Sequence, residues 1–394
     1  MAERSNAADS KTVTIGGLNP SLSIRIGLKD CFNISNRRTG LGLSKNSRLS
    51  FKAVRDSTVY SLLKANEHLN PGHQLSTNNH CTPFMVGTVD KTIMDGNGLY
   101  YGASSSGSAK EIHEGNIDVG ICTDTGGSAL VPAARINCWG FRPSYGRVSR
   151  AGVVPLCTSL DVVSIISRTL SDLRAIYNVI DKVDPRDPRS TNRTQTLKDV
   201  IIKLDPQGFS DIQVDLLKKM LTPVSRGSLD LDEEILTMAY ALALCPDFFS
   251  NLNRFNGFHS SENRFNVSEF KESVALAQRN NLPSQIKARV LMGALLLKET
   301  NTQAYSKLQK VSEEYLLKLK QRVQGTLWVT IVDKNLYSNN LHHTPYIYAN
   351  NLLQRPACVA PIGDFMILIS APQFTDSALL DYVQTLIRNI QYKA

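Results

Sequence analysis

The segment between Gly102 and Arg150 holds the residues best suited to chemistry. It is dense in Gly, Ala and Ser, which suits a backbone that approaches another group closely. Within it, Thr125–Ser128 reads TGGS, and consecutive amides without bulky side chains can converge on an anion, as in an oxyanion hole. Tight turns between strand and helix produce the same composition. A phosphate-binding loop is disfavoured because the pattern G-x-x-x-x-G-K-[ST] is missing.

A serine nucleophile in this segment needs a base. The seven histidines lie in polar, loop-like surroundings, and neither Ser104 nor Ser128 lies in a G-x-S-x-G motif, so a Ser-His-Asp triad is not indicated. Lys29 ends the alternating run SIRIGLK, which predicts a strand. A lysine at this position is either the solvated end of a strand or a buried base in its neutral form.

Three motifs, IRIGLKDCF, GASSSGSA and TDTGGSALVPAA, together resemble the signature of the amidase signature family. The resemblance extends over nearly the whole chain. It implies an α/β fold in which a mixed, mainly parallel β-sheet is covered by helices. It also implies a hydrolytic reaction on a carboxamide through a serine ester.

The resemblance assigns roles to two groups of residues. Ser128 would be the acyl-forming nucleophile, Ser104 would relay the proton, and Lys29 would be the neutral base. No metal would be bound. The oxyanion hole would be formed by three consecutive amides, those of Thr125, Gly126 and Gly127.

Later motifs narrow the resemblance within the family. FRPSYGRVSRAGVVPL, SNLNRFNG and QIKARVLMGALLL are similar to segments of the glutaminase subunits of tRNA-dependent amidotransferases. These subunits hydrolyse glutamine and supply ammonia that converts Glu-tRNA(Gln) to Gln-tRNA(Gln). Arg289 would then pair with the α-carboxylate of glutamine through its planar fork, the alternative being an exposed charge on a helix.

The same resemblance implies partners. A B-type subunit would carry ATP, Mg²⁺ and most of the contact with Glu-tRNA(Gln), a third small subunit would complete the complex, and this chain would hold no cofactor. Compact fungal mitochondrial members are the most similar in character, which implies a mitochondrial location. The N-terminal residues themselves show no clear transit peptide.

Departures from the family pattern leave two alternatives open. Ala103 and Ser106 replace loop glycines, Ala129 follows the nucleophile in place of isoleucine, and Thr344 stands where an acidic residue would bind the α-ammonium group. The first alternative is a free-standing amidase that acts on another carboxamide. The second is a scaffold subunit that keeps the fold and has lost turnover.

The elements that must position these residues follow from hydrophobic periodicity. Residues 1–394 are predicted to form one amidase domain in which residues 170–325 are a mostly helical layer or insertion. Helices are predicted at Ser284–Leu297, near Ser377–Ile390, and along a buried stripe from Leu308 to Val323. Strands are predicted at Ser23–Leu28, Met85–Val89, Val119–Cys122, Val162–Ile166, Trp328–Val332, Cys358–Ala360 and Phe365–Ile369.

Two further segments have open interpretations. The polar, proline-rich segment Asp181–Thr196 predicts an internal boundary or an exposed loop. The aromatic run that starts at Phe248 predicts either a core segment or a surface that another chain covers. Its members are Phe248, Phe249, Leu252, Phe255 and Phe258.

The amino-acid composition excludes several classes of protein and site. With 42% apolar and 20% charged residues, disorder and collagen-like structure are excluded. The net charge of +9 is compatible with an anionic partner, although the basic residues are dispersed. Seven widely spaced cysteines without a C-x-x-C pair predict neither a disulfide framework nor a zinc site. Apolar runs such as Phe365–Ile369 fall short of the ~20 residues of a membrane span.

Overall fold

A computed structural model gives the structure of the chain over most of its length. It describes residues 24–40, 51–66, 69, 76–78, 101–102, 104–197, 200–221, 224–226, 229–259, 284–332 and 344–391. The predicted strand Met85–Val89 and the loop residue Ala103 lie outside the described residues.

Twelve strands are present in this part of the chain. They are β1 (Ile26–Lys29), β2 (Arg38–Thr39), β3 (Phe51–Lys52), β4 (Ser76–Asn78), β5 (Val119–Asp124), β6 (Trp139–Arg142), β7 (Val162–Ser167), β8 (Ile201–Leu204), β9 (Val224–Arg226), β10 (Thr326–Ile331), β11 (Ala357–Ile362) and β12 (Phe365–Ser370).

Ten of these strands form one mixed sheet in the order β4-β1-β5-β7-β6-β11-β12-β10-β8-β9, and β2 pairs with β3 separately. The α/β class and the mixed sheet are confirmed. Parallel pairing is confined to the two ends of the large sheet, at β4-β1-β5 and β10-β8-β9. The central pairings are antiparallel, so the expectation of a mainly parallel sheet is wrong for the described strands.

Ten α-helices in the described segments accompany the strands. They are α1 (Thr58–Lys64), α2 (Ser106–His113), α3 (Leu130–Arg135), α4 (Leu170–Ile180), α5 (Asp211–Met220), α6 (Glu233–His259), α7 (Ser284–Leu296), α8 (Thr302–Arg322), α9 (Thr344–Leu352) and α10 (Asp376–Gln391). The predicted helical stretch 170–325 holds α4 to α8, and it also contributes β8 and β9 to one edge of the sheet.

The central strands are apolar runs because both of their faces are covered. Every residue of β5, β7 and β12 is buried, and strands buried on both sides read as continuous hydrophobic segments. The predictions at Val119–Cys122, Val162–Ile166 and Phe365–Ile369 are therefore confirmed within two residues at each end. Strand β6 escaped prediction because Gly140 and Arg142 interrupt a run of only four residues.

The helical predictions are correct in position and partly wrong in orientation. α7 and α10 lie where periodicity placed them. Leu319 in α8 and Val323 directly after it are buried as expected, whereas Leu308 is 39% and Val311 50% exposed. The first half of α8 therefore presents its apolar stripe to solvent in the described structure.

α6 and α7 pack so closely that their backbones touch. A Cβ on Gly293 of α7 would lie 2.2 Å from the carbonyl oxygen of Cys245 in α6, so only glycine allows this approach. Phe248 and Leu252 of α6 are fully buried. The aromatic run is thus a core segment as far as it is described, while the side chains of Phe255 and Phe258 lie outside the described residues.

The same helix satisfies the length and hydropathy criteria of a membrane span. The segment Glu233–Leu252 has a mean hydropathy of 1.3, and 56% of it is buried inside the fold. Core helices meet the same criteria. α6 is such a helix, because it packs against α7, α8 and α9.

The segment Asp181–Thr196 is a loop, as predicted, but it is anchored rather than free. The buried Asp184 carboxylate accepts a hydrogen bond from Ser149 Oγ at 2.7 Å. Asp187 accepts from the backbone N–H of Arg150 at 2.8 Å and from its Nε at 3.2 Å. These bonds lower the pKa of Asp187 against the opposing effect of burial, so the anchor is stable at neutral pH.

We expect Gly146→Ala to destabilise the fold more than Gly325→Ala. Both glycines have positive φ, +90° and +68°, which costs an alanine about 1 kcal/mol. Only at Gly146 would the new Cβ meet an obstacle, the carbonyl oxygen of Arg189 at 2.4 Å, which adds about 1–3 kcal/mol. Urea unfolding of both variants measures the difference. Equal losses would contradict the close approach of the loop.

Candidate active site

The chain segments that carry the three predicted catalytic residues come together at the carboxyl end of β1. Lys29 is completely buried, so the alternative of a solvated strand end is wrong. Its Nζ lies 2.6 Å from Ser104 Oγ and 3.2 Å from Ser105 Oγ. The N–H of Ser105 donates to the carbonyl oxygen of Ser128 at 3.2 Å. The loop that carries the relay serine is therefore bonded directly to the predicted nucleophile.

The surroundings of Lys29 suit proton transfer. In the described residues no carboxylate lies within ion-pair distance of Nζ, and its polar partners are the two serine hydroxyls. A proton can pass between Nζ and Ser104 Oγ without competition from a fixed anion. The geometry supports the relay that the family resemblance implies.

A buried thiol lies behind these serines. Cys122 of β5 is fully buried and forms side-chain hydrogen bonds with Ser105 and Ser108. Burial raises the pKa of the Cys122 thiol, so the sulfur stays protonated at neutral pH. Cys122 therefore belongs to the wall of the site and is unsuited to act as a nucleophile.

The turn that carries Ser128 is folded around one carboxylate. Asp124 ends β5, and its Oδ1 accepts from the N–H of Gly127 at 3.0 Å and from Asn351 Nδ2 at 2.9 Å. Its Oδ2 accepts from the N–H of Ala129 at 2.8 Å. The guanidinium of Arg142 lies 3.4 Å away in an ion pair with both side chains fully buried. Asp124 thus fixes the backbone on both sides of Ser128.

This arrangement distinguishes the three predicted oxyanion donors. The amide of Gly127 is directed at Asp124, which makes it the least suited of the three. The amides of Thr125 and Gly126 make no hydrogen bond to any residue in the described ranges. These two amides are the better candidates for stabilising a developing negative charge.

A second buried carboxylate holds the other end of the turn. Asp161 Oδ1 accepts from Thr125 Oγ1 at 2.6 Å, and Oδ2 accepts from the backbone N–H groups of Leu156 and Cys157 at 2.7 and 3.0 Å. Burial raises the pKa of Asp161 to about 6, against the opposing effect of these hydrogen bonds. Asp161 thereby joins the TGGS turn to the loop that precedes β7.

Two tyrosines close over the turn. A Cβ on Gly126 would lie 2.3 Å from the hydroxyl of Tyr240 in α6, so the phenol sits directly on the glycine. The ring of Tyr240 stacks on that of Tyr348 in α9, with centroids 4.4 Å apart and planes inclined by 9°. Burial raises the pKa of Tyr240, and the nearby Arg289 guanidinium opposes this shift. Arg289 of α7 thus lies beside the tyrosine pair.

The predicted site residues are therefore brought together, with Arg289 half-buried at its edge. The charge of Arg289 also lowers the pKa of Tyr348 against the opposing effect of burial, so the guanidinium lies near both rings of the tyrosine pair. The described residues contain no group of three or more His, Cys, Asp or Glu side chains that could hold a metal ion.

Sequence reasoning missed Tyr240, Asp124 and Asp161 as parts of the site. Asp124 lies within the TDTGGS motif, and Asp161 follows five residues after the end of the FRPSYGRVSRAGVVPL motif. An acidic residue next to a glycine turn in an apolar segment is the signal that could have identified Asp124. Tyr240 carries no local signal, because α6 is apolar on most of its surface and only the three-dimensional packing brings the phenol to Gly126.

We expect Asp161→Asn to change the pH dependence of stability. The pKa rises from an ordinary 3.8 to about 6 on folding, so between these values the folded protein holds the extra proton and loses stability as the pH rises. The asparagine variant lacks this loss. From pH 4 to pH 7 its free energy of unfolding should gain roughly 3 kcal/mol relative to the parent protein. Urea unfolding across this range tests it, and parallel curves would contradict the assignment.

Comparisons with known proteins agree with this geometry. The profile of the amidase family matches residues 3–327. The A-type subunit of glutamyl-tRNA(Gln) amidotransferase from Helicobacter pylori is 25% identical over an alignment of 394 residues, gaps included, that spans 91% of this chain and 80% of that protein. The mitochondrial A-type subunit of the same amidotransferase from Candida albicans is 28% identical over 235 residues, covering 54% of this chain and 51% of that protein.

Solved structures show the same fold at low sequence identity. The peptide amidase from Stenotrophomonas maltophilia is 17% identical, with a TM-score of 0.68 over 93% of this chain and 82% of that one. Allophanate hydrolase from Kluyveromyces lactis is 20% identical, with a TM-score of 0.69 over 92% of this chain and 61% of that one. Because the family profile covers most of the chain, including the buried lysine and both serines, this protein belongs to the amidase signature family.

Proposed function

We propose that this protein is the glutaminase subunit of a tRNA-dependent amidotransferase. The observation that carries the proposal is the position of Arg289 beside the Tyr240–Tyr348 pair, which covers Gly126, two residues before the nucleophile. A fixed guanidinium there suits a substrate with a free carboxylate, as glutamine has and a peptide amide lacks. The similarity to an A-type amidotransferase subunit over 91% of the chain supports the same function.

The contact between Lys29 and Ser104 supports the following reaction. Ser128 Oγ attacks the side-chain carboxamide of glutamine, while Ser104 passes the serine proton to Lys29. The amides of Thr125 and Gly126 stabilise the tetrahedral anion, each contributing about 3 kcal/mol. Lys29 returns the proton through Ser104 to the leaving nitrogen, and ammonia departs. Water then hydrolyses the glutamyl ester by the reverse relay.

The ammonia requires a partner with a different chemistry. We propose that a B-type subunit, with a third small subunit, uses ATP and Mg²⁺ to activate Glu-tRNA(Gln) and accepts the ammonia. The relatives named as amidotransferase subunits support this assembly. Two of the similar proteins are mitochondrial, and they support a mitochondrial location.

A free-standing amidase is the second candidate. It is favoured by the similarity in fold to peptide amidase and allophanate hydrolase, and by Thr344, which starts α9 where the amidotransferase pattern has an acidic residue. A scaffold without turnover is disfavoured, because Lys29 and Ser104 keep a 2.6 Å contact in a buried site.

A carboxylate from another helix compensates for the missing acid. Glu233 lies in the first turn of α6, seven residues before Tyr240, so both side chains lie on one face of the helix. Burial raises the pKa of Tyr348; the charge of Arg289 lowers it and that of Glu233 raises it. Charges of opposite sign thus act on one ring, and a free amino acid carries both a carboxylate and an ammonium group. We propose that the exposed carboxylate of Glu233 receives the ammonium group.

Ser128→Ala should abolish glutamine hydrolysis, with a loss in kcat of more than about 10³-fold, because no other group can form the ester. Amidation of Glu-tRNA(Gln) driven by added ammonium salt should continue in the assembled complex. Both rates can be followed with purified complex, parent against variant. Retained glutamine-dependent turnover would show that the nucleophile is another residue.

Glu233→Gln should raise KM for glutamine at least 10-fold and change kcat little, since the lost contact binds the ground state and the transition state equally. Glutaric acid monoamide, which lacks the α-ammonium group, should show no change in KM. Glu234→Gln, one residue along the exposed first turn, is the matched control. Equal KM values in the two variants would contradict the role of Glu233.

A further inference from the structure

A second cavity lies apart from the residues of the acyl-transfer site. Its volume is about 660 Å³, which is within the range of small-molecule sites. The anchored loop with Arg189 and Arg193 forms one wall. Tyr145 forms part of a second wall, and the pair Gln373 and Phe374 forms a third. None of the residues that surround Lys29 and Ser128 lines it.

The two arginines of this cavity differ from their neighbours in charge balance. Arg147 is paired with Asp181, and Arg150 with Asp187 at 3.2 Å. Neither Arg189 nor Arg193 forms an ion pair within the described ranges. Two guanidinium groups without an ion-pair partner in these ranges therefore border the same cavity, and such groups favour an anionic ligand with several acceptor oxygens.

One carboxylate, that of Asp247, also lines the cavity and offsets one of the two arginine charges. Asp247 Oδ2 accepts from the N–H of Thr158 at 2.6 Å, and Oδ1 accepts from Asn251 Nδ2 at 3.1 Å. Its oxygens are thus committed to the protein. The cavity therefore has more hydrogen-bond donors than free acceptors, and the hydroxyls of Ser190 and Thr191 add to the donors.

The backbone that carries the arginines is held in place before any ligand binds. The carbonyl oxygen of Arg193 accepts from Arg147 Nη1 at 2.5 Å, and the N–H of Thr191 donates to the carbonyl oxygen of Gly146 at 2.9 Å. The N–H of Arg189 donates to Asp187 at 3.0 Å. A preformed loop loses less conformational entropy when it binds.

The opposite wall is strained and aromatic. Phe374 has φ of 67° and Gln354 has φ of 58°, a conformation that costs a bulky residue about 1–2 kcal/mol. The Phe374 ring lies beside the guanidinium of Arg193, which is 6.0 Å from the ring centroid. Gln373 Nε2 lies 3.4 Å from Gln354 Oε1, so side-chain amides line the same wall.

We propose that this cavity binds a nucleoside phosphate, either free or as the terminal nucleotide of an RNA strand. Arg189 and Arg193 hold the phosphate, the partly exposed Phe374 ring offers a face on which a base stacks, and the glutamine amides can bond to the edge of the base. The inference does not depend on the identity of the carboxamide substrate. It adds a binding function to a chain whose net charge is +9.

The test measures binding to the full chain, with its partners if the chain is isolated as a complex. Fluorescence anisotropy and calorimetry follow a short single-stranded oligoribonucleotide, a nucleoside monophosphate and inorganic phosphate. Arg189→Ala/Arg193→Ala is compared with the parent protein and with Arg388→Ala, which removes an exposed arginine of α10 outside the cavity. Amidase activity reports that each variant is folded.

We expect the double variant to bind the nucleotide probes at least 10-fold more weakly, with unchanged amidase activity, and Arg388→Ala to match the parent. For the oligoribonucleotide, the slope of log K against log salt should fall by about 0.7 for each arginine removed. Binding of the mononucleotide points to a free ligand, and binding of the oligonucleotide alone points to an RNA end. The proposal is overturned if the double variant stays within twofold of Arg388→Ala, or if inorganic phosphate binds as tightly as the nucleotides.

Discussion

The carboxylate of Asp124 is the interaction on which the site depends. It is fully buried, and a buried charge is tolerated only when its acceptor positions are satisfied and a counter-charge is near. Arg142 supplies that charge at 3.4 Å and is itself fixed by the carbonyl oxygens of Arg355 at 2.9 Å and Leu160 at 3.1 Å. Asn351 adds a bond from α9. Strands β5 and β6 and helices α3 and α9 are thus tied to one pair of charges.

The two acidic residues of the site have different environments and therefore different consequences. Asp124 has a cationic partner, whereas Asp161 has hydroxyl and amide donors and a pKa raised to about 6 by burial. Together they fix the turn from Thr125 to Ala129 at both ends. The amides of Thr125 and Gly126 lie between these two anchors. Preorganised donors of this kind need no rearrangement when negative charge develops.

Most of the fold could be predicted from the sequence because the central strands are continuous apolar runs. The contact of Lys29 with Ser104, and the proximity of this loop to Ser128, could likewise be predicted from local motifs. Contacts between distant segments could not. The pairing direction of the strands depends on connections that periodicity does not encode. Tyr240 reaches Gly126 only because α6 crosses the turn, and the exposure of Leu308 depends on how the neighbouring elements pack against α8.

The backbone contact at Gly293 has a consequence for the length of the substrate. Gly293 lies one helical turn after Arg289 on α7, and it presses against the carbonyl oxygen of Cys245 in α6, the helix that also carries Tyr240. Because α7 carries Arg289, this contact helps to set the distance between the guanidinium and the nucleophile in the proposed function. A side chain at position 293 would push α7 away from α6 and shift the Arg289 guanidinium, although position 293 itself would not touch the ligand. Selection for amides of a different length could therefore act on a residue that is buried between two helices.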